Sequence, residues 1–201
     1  MSYRNGGMSI RAFLAIDLDP TLRAALARFQ EECRRILPTL QWVNPKSLHL
    51  TIKFLGYIPE TDIEAIRETL TSVISPLPPF SVTVEGIGAF PALTAPRSLW
   101  AGITGETGRL ETLVSLVEQA LEPLGYPRES KPFRAHLTLA RIKGRHREIR
   151  EIGATLEKVA WIHNAPRFGE LQVDRLCLFQ SELRPTGAEY HRLWDIALQG
   201  T

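Results

Sequence analysis

Polar and apolar residues alternate in two short stretches that are near-copies of each other: His49-Leu50-Thr51-Ile52 and His136-Leu137-Thr138-Leu139. Strict alternation is the signal of a half-buried strand, in which successive side chains point to opposite faces. His49 and Thr51 therefore share one face and Leu50 and Ile52 the other, and the second stretch repeats the arrangement. Around these motifs the pattern predicts further elements. A strand covers 10–18, built on the apolar run from Phe13 to Ile16. Asp19 and Pro20 offer an N-cap and a first-turn proline. Leu22, Ala25, Leu26, Phe29, Cys33 and Ile36 then recur at helical spacing until Pro38. The first motif strand is expected over 47–56. A second helix starts near Thr61, turns Ile63, Ile66 and Leu70 inward, and ends before the proline-rich stretch 76–79.

A clean alternation over 80–85 predicts a strand, with Gly86 and Gly88 marking a bulge or bend. Another strand is expected over 98–103 and a third helix over 106–124, with Leu110, Leu113, Val114, Val117 and Leu121 inward. The second motif strand is placed at 134–142, followed by a basic helix from about His146. Two closing strands, 168–180 and 189–198, join through residues 184–187. Helices mixed with antiparallel-looking strands argue for an α+β fold. The repeated order predicts a bilobal, pseudo-symmetric duplication. Its two antiparallel sheets face a central cleft, its helices lie outside, and its closing strand returns to the first lobe. No linker divides the chain, so 10–201 is expected to be one domain. Residues 1–9 are expected to be a disordered leader, or the true start to be Met8.

Composition excludes more than it selects. With 201 residues, 44% of them hydrophobic, the chain can bury a sizeable core, and its net charge of +2 is too small to imply by itself a bulk attraction for nucleic acid or membrane. It shows no signal peptide and no spanning segment, which makes the cytoplasm the expected location; a monomer is expected. Local charge is uneven: residues 131–150 hold seven Lys/Arg and one acid, Glu148. That is either a solvated helix face or a rim that draws in a phosphate-bearing substrate. Cys33 and Cys177 both fall in apolar patterns and read as core packing.

A lone His-x-Thr on a strand is usually just a satisfied polar residue. Two in the same context, in a chain with five histidines, are what a symmetric acid–base site needs. One neutral imidazole takes a proton from the attacking group, and the other, protonated, gives one to the leaving oxygen. Thr51 and Thr138 can donate hydrogen bonds to non-bridging phosphate oxygens. Arg134 lies two residues before His136, so strand parity puts it on the site face. Arg141 and Phe54 each lie five after their histidine, on the far face unless the strand ends or bulges first. There is no Gly-rich phosphate loop, no dinucleotide fingerprint, no CxxC or HExxH zinc pattern and no Gly-x-Ser-x-Gly elbow. No metal or other cofactor is expected.

The paired motifs resemble the signature of the two-histidine (2H) phosphoesterases, and most closely the RNA 2′,3′-cyclic phosphodiesterases of bacteria and archaea, historically called 2′–5′ RNA ligases. The likeness runs through Arg11 to Ile16, Trp42-Val43, His49 to Gly56, Phe90-Pro91, Arg97 to Trp100, Phe133 to Arg141 and Ser181 to Tyr190. Ala135 departs from it, where relatives commonly carry proline. The resemblance implies metal-independent hydrolysis of RNA-terminal 2′,3′-cyclic phosphate to a 2′-phosphate, with His49 as acid and His136 as base, and reversible 2′–5′ ligation in the same site. It makes Arg141 a phosphate contact and Phe54 a base-stacking residue. Its partners would be RNA with a 2′,3′-cyclic end or small cyclic nucleotides. Two alternatives are a phosphodiesterase for another small cyclic nucleotide and a non-catalytic nucleotide- or RNA-binding module. A zinc hydrolase is disfavoured by ligand count.

Overall fold

In a computed structural model of the protein, residues 8–184 and 187–201 are described. The expected leader therefore lies largely outside the described residues. The expected join through residues 184–187 does so in part. The elements are β1 (Ser9–Asp17), α1 (Pro20–Ile36), β2 (Gln41–Trp42), β3 (His49–Pro59), α2 (Asp62–Ile74), β4 (Phe80–Phe90), β5 (Ser98–Gly105), α3 (Thr107–Leu121), β6 (His136–Arg141), α4 (His146–Leu156), α5 (Ala160–His163), β7 (Arg167–Val173), β8 (Arg175–Arg184) and β9 (Gly187–Ala197). They form an α+β fold with two antiparallel sheets. One has the order β3-β1-β8-β9 and the other β2-β6-β5-β4-β7. Leaving aside the two-residue β2, the orders match strand for strand. The motif strand β3 corresponds to the motif strand β6, and each pairs with the strand that precedes it across a helix.

The closing pair β8 and β9 does return to the first sheet. The expected single strand over 168–180 does not exist. The chain leaves the second sheet after Val173 and joins the first at Arg175, with Asp174 between them and its carbonyl accepting from the Leu198 N–H. Both sides of this crossing face the same core, so its only mark in the sequence is the pair of polar residues Asp174 and Arg175, which slips the alternation by one position. β1 starts at Ser9, which pairs with Pro59. β2 and α5 are too short to show a period.

The helices back the opposite sheets. α1 connects two strands of the first sheet yet packs on β7 of the second, where Phe29 meets Phe168 edge-on at 5.1 Å. α3 connects two strands of the second sheet yet packs on β3 and α2. Asp19 caps α1 by accepting from the Thr21 and Leu22 N–H groups at 2.8 and 3.0 Å, followed by Pro20 in the first turn. Its buried stripe is Leu22, Leu26, Phe29, Gln30 and Cys33. Residues of both sheets and of α1, α2 and α3 belong to one continuous buried cluster. Cys33 and Cys177 are free and buried, and burial pushes both thiols up to about 12.

Candidate active site

β3 is the edge strand of the first sheet, and only β2 lies outside β6 in the second. The two motif strands touch where the sheets meet. In each, the histidine ring is locked in the same way. His49 Nδ1 lies 2.8 Å from the Ser47 carbonyl, and His136 Nδ1 lies 2.6 Å from the Arg134 carbonyl. A carbonyl can only accept, so Nδ1 carries the proton in both rings. Nε2 is then the nitrogen left for chemistry, able to act as a base when neutral and as an acid when protonated.

Thr51 and Thr138 lie two residues on, half-buried on the histidine face. No hydrogen bond with a described residue occupies either hydroxyl. The next residue breaks both strands in the same way. In the pairing of β1 with β3, Leu14 faces Lys53 and Ala15 faces Thr51, leaving Ile52 unpaired. In the pairing of β5 with β6, Leu99 faces Ala140 and Trp100 faces Thr138, leaving Leu139 unpaired. Each motif thus ends in a β-bulge three residues after its histidine. A bulge re-aims the side chains beyond it. Phe54 comes opposite Phe13, their rings 6.0 Å apart, and Arg141 comes opposite Ser98. Both return to the site face despite their odd spacing. The charge of Arg141 on β6 reaches His49 on β3, where it helps to lower the pKa of that imidazole.

Arg134 is placed differently from the strand-parity expectation. β6 starts only at His136, so Arg134 lies outside it and is exposed. Its guanidinium sits 5.8 Å over the Phe90 ring, and Phe90 meets His136 edge-on at 5.0 Å. It is a rim residue of the His136 half-site.

The two half-sites differ in their walls. His49 packs against Phe13 at 4.7 Å and edge-on against Tyr190 at 5.1 Å. Burial lowers its pKa, opposed by the Ser47 carbonyl and the Asp17 carboxylate and reinforced by Arg23 and Arg141. Asp17 is the cross-strand partner of His49 and is itself held by Arg23 at 2.6 Å and Arg192 at 2.8 Å. His136 faces Gly102 across the strands, with the Trp100 ring at 6.4 Å. The Trp100 indole covers Gly88, where any Cβ would collide with it.

Three supports were missed in the sequence. Gln30, fully buried on α1, donates to the carbonyls of Leu139 at 3.0 Å and Val43 at 2.9 Å. Lys53, next to the first bulge, makes a buried ion pair with Glu118 of α3 at 2.7 Å and donates to the Pro127 carbonyl. The signal available was a polar residue inside an apolar stripe, as Gln30 is between Leu26 and Cys33. Among the described residues, Glu182, Glu189 and His191 place potential ligand atoms within 4.8 Å of one another. Their register puts them on the face of β8 and β9 opposite Ser181 and Tyr190, and Arg184 already pairs with both carboxylates. This cluster is not part of the histidine site.

The chain matches the family model described as LigT like phosphoesterase over residues 16–100 and 103–190. It belongs to the LigT-like phosphoesterase family. It is 35% identical over 184 residues to a protein of Archaeoglobus fulgidus named RNA 2′,3′-cyclic phosphodiesterase, covering 92% of this chain and 98% of that one. A protein of the same name from Thermus thermophilus is 33% identical over 95% of this chain and 91% of its own length. Among solved structures, one from Thermus thermophilus superposes with a TM-score of 0.77 at 29% identity, covering 95% and 99% of the two chains. That of E. coli LigT complexed with 3′-AMP gives 0.75 at 22% identity, covering 95% and 99%, and shows the shared LigT fold. No helix among the described residues is long and apolar enough to cross a membrane.

Proposed function

We propose that this LigT-family chain hydrolyses RNA-terminal 2′,3′-cyclic phosphates to 2′-phosphates by paired imidazole acid–base catalysis without a metal. The observation that carries this reading is the duplicated lock. Two histidines in matching half-sites each spend Nδ1 on a backbone carbonyl and keep Nε2 for chemistry. A binding module needs no such couple. The names of the relatives supply the substrate class.

Water attacks phosphorus while His136 Nε2 takes one of its protons. The P–O3′ bond breaks as His49 Nε2 delivers its proton to O3′. The products are a 2′-phosphate and a free 3′-hydroxyl, with His136 left charged and His49 neutral until solvent exchanges the proton. Thr51, Thr138 and Arg141 donate to the non-bridging oxygens as charge builds there, with Arg134 at the rim and Phe54 under the base. Burial disfavours charge on His49 in the free protein. The anionic phosphate offsets this, so the acid is charged in the complex. With the 5′-hydroxyl of a second strand in place of water, the same forward steps join a 2′–5′ bond and free the 3′-hydroxyl, and their reverse cleaves that bond.

RNA ending in a 2′,3′-cyclic phosphate, incubated with and without chelator, tests the reading. A 2′-phosphate end in both samples is expected. A 3′-phosphate end, or no turnover, would overturn it. Turnover lost to chelator and restored by one metal would remove the metal-free mechanism.

A further inference from the structure

The open face of β3 continues well past the histidine. Cross-strand partners share a face, so the register can be read in rows. His49 stands opposite Asp17, Thr51 opposite Ala15, Phe54 opposite Phe13 and Tyr57 opposite Arg11. Two bulges, at Ile52 and Leu55, drop those apolar residues onto the core side. Two aromatics therefore follow the His-Thr pair at successive positions of one face, each step ~6.6 Å along the strand. Phe54 is 55% exposed and Tyr57 72%. Opposite Tyr57, Arg11 donates to the Ser181 hydroxyl at 3.1 Å and makes no ion pair with a described residue.

A single exposed tyrosine on an edge strand is ordinary. Here the exposed rings form a line that is continuous with the histidine face and flanked by Arg11, a cation with no ion pair among the described residues. Aromatic faces in series beside a positive charge are the recognition chemistry of single-stranded nucleic acid, whose bases stack and whose backbone is anionic. We propose that Phe54, Tyr57 and Arg11 form a track for the nucleotide that precedes the cyclic phosphate. Phe54 carries the terminal base, Tyr57 carries the base on its 5′ side, and Arg11 receives the phosphodiester between them. This rests on the reading of the site as one that acts on RNA ends. It adds that the enzyme is built for a chain and not for a mononucleotide.

The test compares a 2′,3′-cyclic mononucleotide with a dinucleotide carrying the same end, on the wild type, Tyr57→Ala, Tyr57→Phe and Arg11→Gln. The wild type should prefer the dinucleotide. Tyr57→Ala should lose about five- to a hundredfold in kcat/KM on the dinucleotide, the range for one base–aromatic stack. The loss should fall on KM, and the mononucleotide should be unaffected. Tyr57→Phe should keep the preference, because it keeps the ring. Arg11→Gln should weaken the dinucleotide alone, and less so at high salt. Equal effects on both substrates, or none on the dinucleotide, would overturn the track. So would a dinucleotide preference that survives Tyr57→Ala but vanishes when the cations of α4 are neutralised, since the strand would then cross α4. If the wild type turned over neither substrate, the phosphodiesterase reading would fall first. Turnover of both without preference would sink the track alone.

Discussion

Gln30, on a helix between two strands of the first sheet, donates a hydrogen bond to the Leu139 carbonyl at the bulge of the second. The same carbonyl also accepts from the Val43 N–H at 2.9 Å. The residue that lets Arg141 turn toward the site is thus pinned from the other half of the molecule.

Gln30→Ala should leave buried carbonyls short of a donor and cost about 1–3 kcal/mol of stability. Its distinguishing effect should be a higher KM for even a mononucleotide cyclic phosphate, because Arg141 loses its aim while the two imidazoles stay in place. Denaturant melts read beside steady-state kinetics check this. A stability loss with unchanged KM would make Gln30 a packing residue only.

Each imidazole should matter separately. His49→Ala and His136→Ala should each lower turnover by ~10²–10⁴-fold with an unchanged circular dichroism spectrum. A substrate whose leaving oxygen needs no protonation should rescue His49→Ala and not His136→Ala. The opposite rescue would exchange the two roles.

Acid should weaken the fold through His49. Its pKa is lowered by burial, so at and below the ordinary histidine value of ~6.5 the unfolded chain binds a proton that the folded chain resists. The stabilisation is therefore present above that pH and lost as pH falls through the folded value. Urea midpoints at pH 7.5 and 5.5 should show a drop that is smaller in His49→Gln. The same drop in both proteins would acquit His49.

Lys53→Met should be among the most destabilising single changes in the chain, ~3–5 kcal/mol, since it strands Glu118 as a buried charge. Adding Glu118→Leu should recover much of that loss. A double-mutant cycle by chemical denaturation measures the coupling, and strictly additive losses would show that the two charges do not support each other.

The two kinds of cation near the second motif should separate by salt. Arg141→Ala should impair a mononucleotide cyclic phosphate at every ionic strength, as loss of a charge-assisted hydrogen bond of ~1.5–3 kcal/mol. Neutralising Lys143, Arg145, Arg147 and Arg150 should slow long RNA, and less as salt rises. Matching salt-sensitive losses would reduce Arg141 to one more surface charge.

The motif strands, the helices α1 to α4 and most of the core were legible because each is a repeat in hydrophobicity. Arg141 and Phe54 were named through the family resemblance, but their turn to the histidine face was not legible in the strand pattern, because what turns them is a bulge at Ile52 and another at Leu139. Ile52 and Leu139 are buried whether or not the strand bulges, so the sequence looks the same either way. The change of sheet at Asp174 left only a one-residue slip of the alternation at Asp174 and Arg175, since Val173 and Leu176 face one core from two sheets. Gln30 is the instructive miss. A glutamine inside an apolar helical stripe has to find a partner, and that partner lay beyond any local pattern, on a strand that forms far later in the chain.

The exchange of backing helices has a mechanical consequence. With α1 lying on β7 and α3 on β3, neither half owns all the surface that covers it, and the halves are interlocked like clasped hands. Swinging them apart would strip a helix from each. The separation of the two imidazoles is therefore a dimension of the folded chain and not the position of a hinge. Heat or denaturant should remove both half-sites in one transition, with no state in which one histidine keeps its setting and the other has lost it.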